Sequence, residues 1–151
     1  MQIVDAGYGH AGQALLLEIL ERPLFAHFAT ACPDGPRVSP VWFLYERGAV
    51  WIVANEKDSF WKRVRADPRC ALEIVDFDVS SGRVHHAGMR GRAEVLPWEP
   101  ERARRLLQRY LGPEQARWDA RFRSAAGDYT NRWIRFDPQS AVIRDQSYLP
   151  G

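Results

Sequence analysis

Residues 36–76, PRVSPVWFLYERGAVWIVANEKDSFWKRVRADPRCALEIVD, read as three strands with one short, basic, aromatic helix between the second and the third. Over residues 36–45 one parity holds Val38, Pro40, Trp42 and Leu44, and the other holds Ser39, Val41, Phe43 and Tyr45, so both faces are largely apolar. Such a strand buries one side in its own core and offers the other to a partner subunit or a flat ligand. The turn Glu46-Arg47-Gly48 leads to a second apolar strand over residues 49–54, carrying Val50, Trp51, Ile52 and Val53. A polar run follows, in which Asp58 or Ser59 can cap a helix over residues 59–66 that ends near Asp67-Pro68. Phe60, Trp61 and Val64 face the sheet, while Lys57, Lys62, Arg63 and Arg65 stay within reach of solvent. On composition this is an amphipathic helix with a solvated basic face. Its N-terminal N–H groups, with two lysines nearby, also suit a phosphate.

Outward from this stretch, residues 1–10 show no periodicity and read as a loose arm. Residues 11–22 space Ala14, Leu15, Leu17, Ile19 and Leu20 as an amphipathic helix stopped by Pro23, and residues 25–31 form a strand ending at the turn Pro33-Asp34-Gly35. Residues 70–75 and 83–95 form further strands, the longer one interrupted by Gly88 and Gly91. Its parity puts His85, Ala87, Met89, Ala93 and Val95 on one side and His86, Arg90, Arg92 and Glu94 on the other, which makes His85 a core residue. Ala103, Leu106, Leu107 and Tyr110 mark a helix stopped by Gly112-Pro113, and residues 114–122 suggest a shorter one. Residues 133–136 and 141–144, separated by Asp137-Pro138-Gln139, read as a closing hairpin, and residues 146–151 as a tail free to lie along a partner. Six or seven short strands with peripheral helices and no repeated βαβ spacing predict a mainly β, α+β chain, built as a small antiparallel barrel.

A chain of 151 residues, 46% hydrophobic and 26% charged, makes one domain with a modest core. No apolar run reaches the ~20 residues of a membrane span and no secretory signal is present, so the expected address is the cytoplasm. With a net charge of +2, the clusters at residues 61–65 and 102–105 read as solvated helix faces rather than a nucleic-acid surface. Cys32 and Cys70 are isolated and carry no role. GxSxG, HExxH and P-loop patterns are absent, and adjacent His85 and His86 point to opposite faces of a strand, so no metal site is expected. Any catalysis therefore rests on a cofactor.

Asp34-Gly35-Pro36-Arg37-Val38-Ser39-Pro40-Val41-Trp42-Phe43, then Lys62-Arg63-Val64-Arg65-Ala66-Asp67-Pro68-Arg69, then Gly88-Met89-Arg90-Gly91-Arg92-Ala93-Glu94-Val95, in this order, resemble the pyridoxamine 5′-phosphate oxidase-related, FMN-binding split-barrel family. The resemblance spans roughly residues 24–145. It implies an FMN-dependent oxidoreductase acting on a small molecule, and the two apolar faces of residues 36–45, in a chain with one core to bury them in, add the expectation of a homodimer with the cofactor at the subunit boundary. It places ring and ribityl contacts on Ser39, Pro40, Val41, Trp42, Val53 and Ala54, and phosphate contacts on residues 57–62. The oxidase's phosphate-binding Arg-Lys pair falls on Ser59 and Phe60, a departure for which Lys57, Lys62 and the Ser59 hydroxyl can substitute. His86 stands where the oxidase has a ring-contacting glutamine, and Leu44 where it has a substrate-contacting lysine. No residue is marked as catalytic. A deazaflavin-dependent reductase, or a barrel that holds flavin or haem without turnover, stand as alternatives.

Overall fold

The computed structural model describes residues 1–5 and 12–151. Among them run β1 (Gln2–Asp5), α1 (Gly12–Glu21), β2 (Ala26–Thr30), β3 (Arg37–Val41), β4 (Phe43–Glu46), β5 (Ala49–Ala54), α2 (Phe60–Ala66), β6 (Arg69–Asp78), β7 (Arg83–Leu96), α3 (Pro100–Leu111), α4 (Ala120–Arg123) and β8 (Arg132–Asp145). The sheet order is β3-β2-β6-β7-β8-β5-β4, all antiparallel, with β1 added parallel to β8. This is the mainly antiparallel, α+β barrel expected.

The expected strand over residues 36–45 is instead two strands, broken at Trp42. Those halves, β3 and β4, are chain neighbours yet occupy opposite ends of the sheet order. With one residue between them, the sheet has to curl until its two edges meet at Trp42. Proline donates no ladder hydrogen bond, and Pro40 accordingly sits in edge strand β3. The amide of Phe43, across the break, donates to Tyr110 Oη (3.1 Å). The outer face of β3 is open in this chain: Val38 is 63% exposed.

Two cores result. The barrel interior is filled by Phe28, Phe43, Val50, Ile52, Ile74, Met89, Ile134, Phe136 and the inner faces of α1 and α2. The other side of β5 and β8, carrying Ala49, Trp51 and Trp133, packs under Ala103, Leu106 and Leu107 of α3. That is why residues 49–54 are apolar at every position. The β7 parity holds, with Ala87, Met89 and Ala93 buried and Arg90, Arg92 and Glu94 exposed.

The closing hairpin is not formed. Residues 132–145 make one strand with a register shift opposite Arg90 and Gly91, and Asp137-Pro138-Gln139 is a bulge inside it. The bulge switches the inward parity from Ile134 and Phe136 to Ala141 and Ile143. Residues 2–5, expected in a loose arm, form β1 against β8, and residues 6–11 lie outside the described residues. The tail binds its own chain, Gln146 N donating to Val84 O (2.8 Å) and Tyr148 N to Gly82 O (2.9 Å). Residues 114–122 divide into a 3-10 turn, Gln115–Arg117, and α4. Both cysteines are free, and burial, then the charge of Asp67, pushes the Cys70 thiol up to about 12. No described helix is long and apolar enough to cross a membrane.

The helix carrying Arg102 and Arg105 is not merely solvated. Arg102 lies 3.5 Å over the Trp51 ring, and Glu46 accepts from Arg102 Nε (2.7 Å) and Arg105 Nη2 (2.9 Å), fastening α3 to the end of β4. Burial alone would raise the Glu46 carboxyl, but Arg105 and Arg102 outweigh it and hold it below 4.5. A depressed folded-state value means stability that is present above about pH 4.5 and lost as the pH falls through the folded value. Glu46→Gln is expected to cost about 1–3 kcal/mol at pH 7. In thermal melts the difference from the parent should shrink progressively as the pH falls below 4.5; a loss of the same size at every pH would show that the charge is not the cause.

Candidate functional site

Trp42, at the meeting of the two sheet edges, is half-buried. Its ring stacks on Tyr110 (centroids 4.5 Å, interplanar angle 2°) and on Phe122 (5.6 Å, 29°). Tyr110 is fixed by donating its hydroxyl to Leu24 O (2.7 Å) while accepting from the Phe43 amide, and burial pushes its phenol above the ordinary value. Arg109 beside it caps the end of α1 by donating to Leu20 O and Glu21 O, each at 2.8 Å. The corner is thus held from behind by α3.

In front of it lies a cavity of about 490 Å³, within the usual range for a small-molecule site. Its walls are Pro40, Val41, Trp42, Val53 and Phe60 from the barrel, and Trp98, Leu106, Leu107 and Phe122 from the helical layer. Trp98 is set by donating Nε1–H to Ala126 O (2.7 Å) and by stacking on Trp133 (4.9 Å). One end is polar, with Asn55, Asp58, Asp128 and Asn131. The chemistry of this lining suits a planar, largely apolar group at the aromatic walls and a hydrogen-bonding chain at the polar end.

Five of the expected cofactor contacts, Pro40, Val41, Trp42, Val53 and Phe60, line this cavity. Ala54 is buried beside it in β5, and Ser39 lies in β3 opposite Phe28. Lys57 and Lys62 are exposed and outside the lining. Ser59 occupies the cap position of α2 but makes no side-chain cap; its hydroxyl accepts from Arg63 Nη1 (2.8 Å), whose Nε donates to Thr30 Oγ1 (2.7 Å). Arg63 is therefore bound into the fold rather than free in solvent. Asp58 instead accepts from the Asn55 amide (2.7 Å). Lys62, Arg65 and Arg132 gather about the buried Trp61 ring, at 5.4, 5.0 and 3.8 Å from its centroid.

His86 lies elsewhere, on the outer sheet surface, with Nε2 3.0 Å from Gln146 Oε1 and Nδ1 3.5 Å from Glu73. His85 turns inward by parity but sits near the sheet's end, half-buried, 3.5 Å from Asp145. The same outer surface carries a second hollow of about 610 Å³ lined by Val4, His27, Ala29, Val38, Glu73, Gly88, Arg90 and Val142, an open groove across the strands. No cluster of metal-ligating groups occurs among the described residues.

Asn55, Trp98, Phe122 and Asn131 were not expected at the site. Asn55 stood in the polar run before α2 with no role of its own, beside Asp58, which was read as a cap within the expected phosphate stretch 57–62; the others come from distant segments without a motif.

The sequence model described as pyridoxamine 5′-phosphate oxidase matches residues 13–142, and the chain belongs to that family. Its fold is similar to that of a conserved hypothetical protein from Mycobacterium tuberculosis (TM-score 0.70, 21% identity, 88% of this chain and 84% of that one). An F420 reductase is also similar (TM-score 0.64, 26% identity, 90% and 98%). So is a flavocytochrome from Azotobacter vinelandii (TM-score 0.69, 17% identity, 92% and 69%). Among curated proteins no significant match is found.

Proposed function

We propose that the chain is an FMN-dependent oxidoreductase acting on a small molecule in the cytoplasm, its single domain paired as a homodimer. The observation that carries the reading is the meeting of Pro40, Val41, Trp42, Val53 and Phe60 in one aromatic-walled cavity, although they come from β3, the break after it, β5 and α2. Trp42 and Phe122 confine the isoalloxazine ring and exclude water from it; Val41 and Val53 supply its apolar bed. A bound flavin supplies hydride and electron exchange at that ring, and the chain supplies position and electrostatics. The phosphate end points out of the cavity toward Lys57 and Lys62, because the polar end of the cavity holds the carboxylates of Asp58 and Asp128. The exposed apolar outer face around Val38 and Val142 is the surface for the second copy.

A deazaflavin is the second reading, favoured by Lys62, Arg65 and Arg132, which gather about Trp61 with no carboxylate partner among the described residues and suit a longer anionic tail. Likeness to an F420 reductase favours it as well. The visible spectrum of the protein as purified, followed by mass analysis of what denaturation releases, separates these. Oxidised-flavin bands with released FMN are expected. A released deazaflavin replaces the first reading with the second, and a Soret band replaces both with haem. A colourless protein that takes up none of the three on titration overturns the proposal.

A further inference from the structure

The polar end of the cavity is built from two turns that are 76 residues apart in sequence and joined by one hydrogen bond, Asn55 Nδ2 to Asn131 Oδ1 at 3.0 Å. The orientation of both amides follows from their neighbours. Asn55 Oδ1 accepts from the Lys57 amide (3.1 Å), so its nitrogen is the group that faces Asn131, and Asn131 must answer with its oxygen. The Asn131 nitrogen is then left over. Asn131 is only 9% exposed and lines the cavity, and among the described residues no protein acceptor meets that N–H₂ group, which stays open to the cavity. On the facing turn, Asp58 has committed one carboxylate oxygen to the Asn55 backbone N–H, and its other oxygen meets no donor among the described residues. An amide donor that opens on the cavity is available to a group bound there.

We infer that Asn131, held in place by Asn55, is the residue that reads the hydroxyl chain of the cofactor, donating to one hydroxyl while Asp58 accepts from another. A polyol matches this pair because each hydroxyl both donates and accepts, whereas the isoalloxazine ring belongs at the aromatic end beside Trp42 and Phe122. The inference rests on the flavin reading of the cavity, and it holds for FMN and deazaflavins alike, since both carry a ribityl chain.

The test compares lumiflavin, which has the ring without the polyol, with riboflavin, by fluorescence titration of the purified full-length apoprotein. The parent protein should bind riboflavin more tightly than lumiflavin. Asn131→Leu should raise the riboflavin dissociation constant about tenfold and leave lumiflavin within about twofold, as expected for one lost hydrogen bond. Asn131→Ala serves as the second variant should the branched side chain prevent folding. Equal losses for both ligands, or unchanged riboflavin binding, would show that Asn131 only ties the two turns together and would overturn the inference while leaving the flavin site standing. A parent protein that binds neither ligand would overturn the flavin reading and this inference with it.

Discussion

Gly91→Ala should destabilise the protein by about 3 kcal/mol or more, or prevent folding altogether, whereas Gly88→Ala three residues away should be well tolerated. A Cβ at position 91 would stand 2.1 Å from the Asp137 carbonyl oxygen and 2.9 Å from its carbon, both backbone atoms inside the β8 bulge. Neither strand can yield without losing register, because the bulge is what switches the inward parity of β8 between Phe136 and Ala141. A Cβ at position 88 meets nothing within 4 Å. Chemical denaturation of the two variants checks the contrast. Equal, small losses would mean that the bulge can move aside and does not pin the β7–β8 register.

Val38→Asp combined with Val142→Asp should convert a dimer into a folded monomer. Both side chains line the outer groove, at 63% and 37% exposure, and they extend an apolar surface that includes Val4 and, along β6, Val75 and Phe77. A stable dimer commonly buries ~1,200–2,000 Å² in total, and two carboxylates placed in its apolar centre would each have to be desolvated without a partner. Neither position contributes to the core, so the melting curve of the monomeric variant should show an intact fold apart from the loss of subunit coupling. Light scattering at micromolar concentration decides the matter. A parent protein that is already monomeric with flavin bound would remove the dimer proposal.

The local elements were legible where the side-chain period was clean. Ala103, Leu106 and Leu107 announced α3, and the alternation over residues 83–95 announced β7 with the correct inward side. Order and spacing of short motifs in the central stretch pointed to the family, and with it to Pro40, Val41, Trp42, Val53 and Phe60 as neighbours. Three readings failed for one reason: short apolar runs do not say which strand they pair with. Residues 36–45 look continuous, but only pairing to β2 on one side and β5 on the other reveals the break at Trp42. Residues 132–145 look like a hairpin because Pro138 suggests a turn, yet Gly91 opposite it makes room for a bulge. Residues 2–5 carry too few positions to show a period and become a strand only because β8 is there to receive them.

What the sequence determined by itself is therefore the class of fold and the inward faces of its regular elements, which follow from local periodicity, while the family resemblance carried by motif order pointed to the residues that line the barrel side of the cavity. What only the tertiary structure decided is the rest of the site. Trp98, Phe122 and Asn131 belong to segments with no motif, and they reach the cavity because α3 is fastened to the barrel by Glu46 and Tyr110. Asn131 turns its donor to the cavity only through a hydrogen bond to a residue far away in the chain. Such a donor is a property of two distant turns brought together by burial, and no spacing along the chain records it.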